Sequence, residues 1–469
     1  LATYGGGHPT KIAQGAPAMQ FRNLTPFGAL CFSALAPDGQ EHPVIAMKVG
    51  YRLEPMEDQP GQCRAVVIDD NPLPLCMADT YYGEPGISAV LEESDLAPFK
   101  PYCDVIVVGH AHAPAGRPAR SWEAGLRITS TRPRQEFPDP PPPQRPPGVR
   151  LTSDELREYQ AAVQEARRRT GEQRMPLLLL DKTLRFTGPR EFRHGLVGWH
   201  LTDPEPATRV PLRWEQAFGG ASQIANPRHE GDPEAPEYLL NEVCFSNPLG
   251  CGWLEHRHEK LHYQQTGDML VRLPAPQIEA LDEPIERLLR PRHPAGPLDA
   301  PAMAEVAAEY GYTPAGFGIV GRAWAPRLAL AGTYDRDWED NHWPGLPEDF
   351  DFTYWNGAPP DQQVAYPTPD AHITLFNLVD PLLSADGRCD IQLPGHRPFV
   401  LMRMTNGVML PLPMLTDTLL IDTDAMTLSM THRISLPGSL DIRVLEARFE
   451  TDPDAPIIQR APRHNGEHA

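Results

Sequence analysis

The sequence predicts a mainly β fold with a few helices: an antiparallel β-sandwich or barrel-like body carrying long proline-rich loop insertions, with an α+β balance by content left open. Three observations predict it. Proline supplies 55 of the 469 residues, about 12% where ordinary globular chains hold about 5%, and a residue without an amide donor breaks up long helices. Short apolar runs of strand length recur between Pro, Gly and Asp turns. No repeat of fixed period emerges, and no run approaches the ~20 apolar residues of a membrane span.

Taken in order, residues 1–19, with Gly5-Gly6-Gly7, read as a flexible terminus. A strand-rich region then covers 20–220. In it, ALCFSAL and HPVIAMKVGYRL, between Ala29 and Leu53, flank Pro37-Asp38-Gly39 and read as a β-hairpin, because Pro presets φ and Gly accepts positive φ. Strands follow at Cys63 to Ile68, Asp104 to His112 and Trp122 to Thr129. Residues 132–176 form an insertion. Its PDPPPPQRPP run cannot pair in a sheet and is extended and polyproline-like. Thr152 and Glu155 then have capping-box spacing, and Leu156, Tyr159, Val163 and Ala166 recur at helical intervals up to Gly171. That helix presents its apolar face either to the parent sheet or to a partner. Leu177 to Phe186 is a further strand, its hairpin partner expected after Gly188-Pro189.

Residues 221–365 read as a loop-rich covering region, turn-dominated from Thr202 to Pro297, with one helix at Ala302 to Tyr310. A second strand-rich region, 366–450, holds His372 to Leu378, Cys389 to Leu393, Phe399 to Met404, Asp417 to Ile421, Thr427 to Ile434 and Leu440 to Phe449. Its turns are Asp422-Thr423-Asp424 and Pro437-Gly438-Ser439. Residues 451–469 read as a flexible tail.

With 42 Lys and Arg against 62 Asp and Glu the net charge is −20, which excludes a nucleic-acid binder by bulk charge. The seven cysteines are scattered without a CxxC pair and read as reduced, buried thiols of a cytoplasmic protein. Walker, Rossmann, HExxH and GxSxG motifs are absent, so no catalytic residue, cofactor or metal is assigned.

Four clusters still have chemistry to weigh. Cys251, His256, His258 and His262 have the ligand types for zinc, although Arg257 and Lys260 would repel a cation. His110 and His112 share one face of a strand and read as a hydrogen-bonded pair at a sheet rim rather than as ligands. Glu92 with Glu93, or Asp335 with Asp337, have the composition of a glycosidase acid and base, but 62 acidic residues produce such pairs without purpose. Trp324, Trp338, Trp343 and Trp355 with Tyr334 and Tyr354 suit either an aromatic core layer or a sugar platform.

Longer segments carry a resemblance. They are NLTPFGALCFSALAPDGQEHPVIAMKVGYRL (Asn23 to Leu53), ADTYYGEPGISAVLEESDLAPFKPYCDVIVVGHAHAP (Ala78 to Pro114) and LDKTLRFTG (Leu180 to Gly188). PLRWEQAFGG (Pro211 to Gly220), NPLGCGW (Asn247 to Trp253) and PAGFGIVGRAWAPRLALAGTYDRDW (Pro314 to Trp338) follow. LPEDFDFTYWNGAPPDQQ (Leu346 to Gln363) and LPLPMLTDTLLIDTDAMTLSMTHRISLP (Leu410 to Pro437) complete the set. In this order they resemble a bacterial domain family of formally unknown function, encoded beside type VI secretion spike and effector genes and regarded as effector adaptors or chaperones. The excursion at Arg132 to Pro176 departs from the family pattern. Within the motifs, Asp95, Lys100 and Asp104 are read as pairing around two prolines, and Pro359-Pro360 as a rigid surface turn presenting Asp361, Gln362 and Gln363 for recognition.

The resemblance implies a non-enzymatic adaptor whose partners are a cognate toxic effector and the secretion spike protein, with neither nucleic acid nor membrane. The alternatives are a carbohydrate-active or zinc-dependent hydrolase, which needs converging carboxylates or a closed metal site, and a structural component of the secretion apparatus, which would self-assemble.

Overall fold

A computed structural model describes residues 19–35, 40–133, 140, 143, 152–172, 174–196, 198–289, 311–453 and 455. The expected turn at Pro37-Asp38-Gly39, most of the polyproline run, the helix at Ala302 to Tyr310, Gly5-Gly6-Gly7 and nearly all of the tail lie outside the described residues.

The body is mainly β, built on a large sheet curled into a half-barrel. Its order runs Ile278–Ala280, Arg174–Thr187, Ser121–Pro133, His372–Phe376, Arg388–Gln392, Gln62–Val67, Glu41–Pro55, Thr427–Ser435, Leu415–Asp422, Cys103–Val108, Gln363–Val364, with Gly28–Leu35 also paired to Glu41–Pro55. Strands from the first and last thirds of the chain therefore alternate in one sheet. A four-stranded sheet orders Gln20–Asn23, Ile442–Glu450, Arg397–Met404 and Met409–Pro413. Val400, Met402, Leu445 and Ala447 bury their side chains in the same core as Ile45, Val105 and Leu126 of the large sheet. A smaller sheet, Arg190–Gly195, Gly198–Leu201 and Arg272–Ala275, closes a satellite core around Phe192, Phe218, Ile285 and Leu288.

The strand from Cys103 to Val108 is buried at every residue. Alternation sends Cys103, Val105 and Val107 into the main core, and Ile106 and Val108 to the other face, where Ile319 and Ala358 cover them. The loop-rich region thus supplies the second layer over this part of the sheet.

Several expectations need correcting. Three pairings of the two larger sheets are parallel: Arg388–Gln392 with Gln62–Val67, Leu415–Asp422 with Cys103–Val108, and Gln20–Asn23 with Ile442–Glu450. Partners drawn from distant parts of the chain leave room for the crossovers that parallel strands need. The strand expected from Asp104 to His112 breaks at Gly109, whose φ of 117° and contact with the Thr423 hydroxyl exclude a side chain. Arg174–Thr187 pairs not with the chain after Gly188-Pro189 but with Ser121–Pro133, placing Trp122 opposite Phe186. The insertion is therefore the tip of a long hairpin. Its helix, Ser153–Glu172, has the expected capping box: Thr152 N donates to Glu155 Oε2 at 2.9 Å and Glu155 N to Thr152 Oγ1 at 3.3 Å. Projecting from a hairpin tip, it buries none of its described side chains fully: Leu156 is exposed, and Tyr159, Val163 and Ala166 are half-buried. Between Thr202 and Leu289 the chain forms short strands and the helix His258–Thr266, more regular structure than its turns imply.

Candidate docking surface

Register across four strands of the large sheet builds a polar row on its covered face. Lys48 lies opposite Thr431, Thr431 opposite Thr418, and Thr418 opposite Asp104. A bulge between Thr416 and Thr418 turns Asp417 toward Arg433, whose Nε donates to its Oδ2 at 2.6 Å. The segment from Glu92 to Asp104 closes over this row. Lys48 Nζ donates to Asp95 Oδ2 at 2.7 Å and also to Glu92, while Thr431 Oγ1 donates to Asp95 Oδ1 at 2.8 Å. Burial opposes the charge on Lys48, but the carboxylates of Asp95 and Glu92 outweigh it and hold its pKa above the ordinary lysine value.

Asp104, fully buried, accepts from Lys100 Nζ at 2.8 Å, Asn356 Nδ2 at 3.0 Å and the backbone N–H groups of Gly357 and Ala358 at 2.9 and 3.1 Å. Here too the lysine titrates higher than usual: burial works against its charge, and Asp104 and Asp417 more than offset it. Lys100 and Asp104 pair as the sequence suggests; Asp95 instead goes to Lys48.

These contacts fix both ends of the Ala97-Pro98-Phe99-Lys100-Pro101-Tyr102 loop and turn its aromatic rings outward. Phe99 is 40% exposed and Tyr102 45%. Phe99 meets Phe352 edge-on at 5.9 Å, and the two line a groove of about 420 Å³ with His42, Glu41, Leu436 and Pro437. His42 Nδ1 is buried there without a hydrogen-bond partner. Chemically this is a largely apolar groove whose lining also includes Gln40, Glu41, Ser435 and Ser439, able to receive apolar groups beside polar ones.

The other sequence candidates separate. His256 Nδ1 turns to Glu255 Oε1 at 2.6 Å, and the rings of His258 and His262 stack at 6.3 Å. Burial, then the neighbouring His262, lowers the pKa of His258, and burial pushes the Cys251 thiol up to about 12, away from the thiolate that zinc prefers. Among the described residues no three His, Cys, Asp or Glu side chains converge on a metal position. Treatment with a strong chelator is accordingly expected to leave the thermal midpoint unchanged, measured by differential scanning fluorimetry; a fall of several degrees would reinstate a structural metal. His110 Nδ1 pairs with Asp424 Oδ2 at 2.7 Å, while the ring of His112 lies 6.3 Å away. Glu92 is committed to Lys48, and Glu93 to Arg327 and Arg322. Of the aromatic cluster, Trp324 is buried against Trp214, whereas Trp343 and Tyr334 are exposed.

The proline turn differs from its expected surface role. Asp361 is exposed and Gln363 half-buried, its Nε2 donating to Ala358 O, whereas Gln362 is fully buried, accepting from Lys182 Nζ at 2.6 Å and donating to Val105 O at 2.6 Å. Its amide satisfies backbone and lysine groups that the covering layer would otherwise leave unpaired. The groove itself escapes sequence reading, because Phe99 and Phe352 lie far apart in the chain. The available signal is an aromatic between two prolines, bracketed by charges that need buried partners.

A family model described as an uncharacterized protein conserved in bacteria (DUF2169) matches residues 38–135 and 160–433, well over half of the chain. The interval between the two matched stretches falls inside the proline-rich excursion. No curated protein and no solved structure matches the chain.

Proposed function

The chain belongs to the DUF2169 family of proteins conserved in bacteria, and from that premise we propose that it is a non-enzymatic adaptor that binds a cognate toxic effector in the cytoplasm and assists its loading onto the type VI secretion spike protein. The observation that carries this reading is the groove between Phe99 and Phe352, with its walls fixed by buried ion pairs. A surface already ordered before binding loses little further entropy when a partner docks. Supporting it, the carboxylate pair Glu92 and Glu93 is held by lysine and arginine rather than poised over an open cleft.

Co-expression with the neighbouring effector is expected to give a complex that survives size exclusion. Truncating Phe99 and Phe352 together to alanine should weaken it by at least about 30-fold, since a central aromatic anchor contributes 2 kcal/mol or more. Circular dichroism and the thermal midpoint of the variant confirm that it folds. Failure of the native chain to co-elute with either effector or spike contradicts the adaptor; large homomeric assemblies in its place favour a structural component.

A further inference from the structure

The aromatic surface continues beyond the groove. Phe352 meets Phe350 at 5.2 Å, and Phe350 meets Tyr354 at 5.8 Å. Asp349, next to Phe350, accepts from both the N–H and the hydroxyl of Thr333 at 2.8 Å, which sets Tyr334 alongside. Tyr334 packs edge-on against Trp338 at 4.8 Å, and a second cleft opens there beneath Trp343. Tyr334 is 54% exposed and Trp343 67%, so among the described residues these two large rings keep more than half of their surface uncovered.

The charge around the Tyr334–Trp338–Trp343 cleft is predominantly negative. Residues 334–352 contain seven carboxylates against one arginine, Arg336, and one histidine, His342. Arg336 Nε already lies 3.8 Å from Asp340, and His342 Nε2 lies 3.9 Å from Asp337 and 3.8 Å from Glu348. Asp335, Glu339 and Asp340 line the cleft itself, with Arg336 as the cation beside them. An anionic or neutral partner would bury the excess of carboxylates over cations uncompensated, at a cost in free energy. A cationic one would pair with them and place its ammonium or guanidinium groups over the ring faces.

We propose that the band from Phe99 to Trp343 docks a lysine- or arginine-rich amphipathic segment of the cargo polypeptide, apolar side chains entering the Phe99–Phe352 groove and cations lying across the Tyr334–Trp338–Trp343 cleft. This inference rests on the adaptor reading and names the kind of segment that the adaptor holds.

The test uses the full chain and a fluorescein-labelled peptide of alternating lysine and leucine, with a glutamate–leucine peptide as its opposite. Fluorescence anisotropy is expected to register the cationic peptide and not the anionic one, with affinity falling about tenfold between roughly 0.05 and 0.5 M salt. Glu339→Gln with Asp340→Asn, and separately Trp343→Ala, should each cut that affinity at least about fivefold. Glu57→Gln with Asp58→Asn, on a distant turn, should leave it unchanged. Equal binding of both peptides, or equal loss in the distant control, overturns the inference, as does a neutral oligosaccharide competing for the cleft. An effector complex that forms with the native chain and survives the Glu339, Asp340 and Trp343 substitutions undiminished removes this docking band but leaves the adaptor standing. Absence of any effector complex removes the adaptor itself.

Discussion

Asp104→Ala is expected to destabilise the protein by about 3–5 kcal/mol, the range for removing one partner of a buried ion pair. The carboxylate accepts four hydrogen bonds, and its loss leaves Lys100 Nζ with the Thr418 hydroxyl at 2.9 Å, strands the N–H groups of Gly357 and Ala358, and leaves Asn356 Nδ2 with Tyr102 O alone among the described residues. Two loops more than 250 residues apart lose their common anchor, so the groove should loosen along with the fold. Denaturant unfolding measures the first effect. Replacing the pair by apolar residues, Lys100→Met with Asp104→Leu, should recover part of the stability, because the stranded ammonium disappears. A change below about 1 kcal/mol for Asp104→Ala would mean that the pair does not hold the loops.

Acidification is expected to weaken the fold through His432. This histidine is fully buried between strands, its Nδ1 3.0 Å from Thr416 Oγ1 and its Nε2 without a partner, and burial pushes its pKa down to about 3. The unfolded chain takes up the proton near pH 6.5 and the folded chain only near 3, so the unfolded state binds more protons between those values. The contribution is therefore complete above about pH 6.5 and declines as pH falls, by at most about 1.4 kcal/mol per unit, until it levels below about 3. His112, His258 and His396, all lowered by burial first, act in the same direction. His432→Gln should flatten the profile between pH 6.5 and 4 in urea titrations. An unchanged slope in that variant would assign the acid sensitivity elsewhere.

Strands whose apolar residues stand in compact runs between turns are legible from sequence: Cys103–Val108, Gln62–Val67 and Thr427–Ser435 all fall where β-branched and aliphatic residues accumulate. Their partners are not, because pairing is a long-range choice. Arg174–Thr187 joins Ser121–Pro133 across an insertion, while Gly188-Pro189 supplies a more local but misleading turn. Met409–Pro413 escapes notice for another reason. Its Pro411 and Pro413 argue against a strand, yet it is an edge strand, where proline is tolerated because an outward-facing position needs no N–H donor. At the candidate site the Lys100–Asp104 pair is visible as a four-residue spacing. The row Lys48–Thr431–Thr418–Asp104 is not, since it exists only once four distant strands adopt their register.

Hydrogen–deuterium exchange of the chain alone and in complex with its co-expressed effector tests the docking claim most directly. Amides of residues 97–102 and 348–356 are expected to gain protection in the complex, while the main sheet, already protected, stays as it was. A stable complex in which those two segments exchange as freely as in the isolated protein would contradict the account.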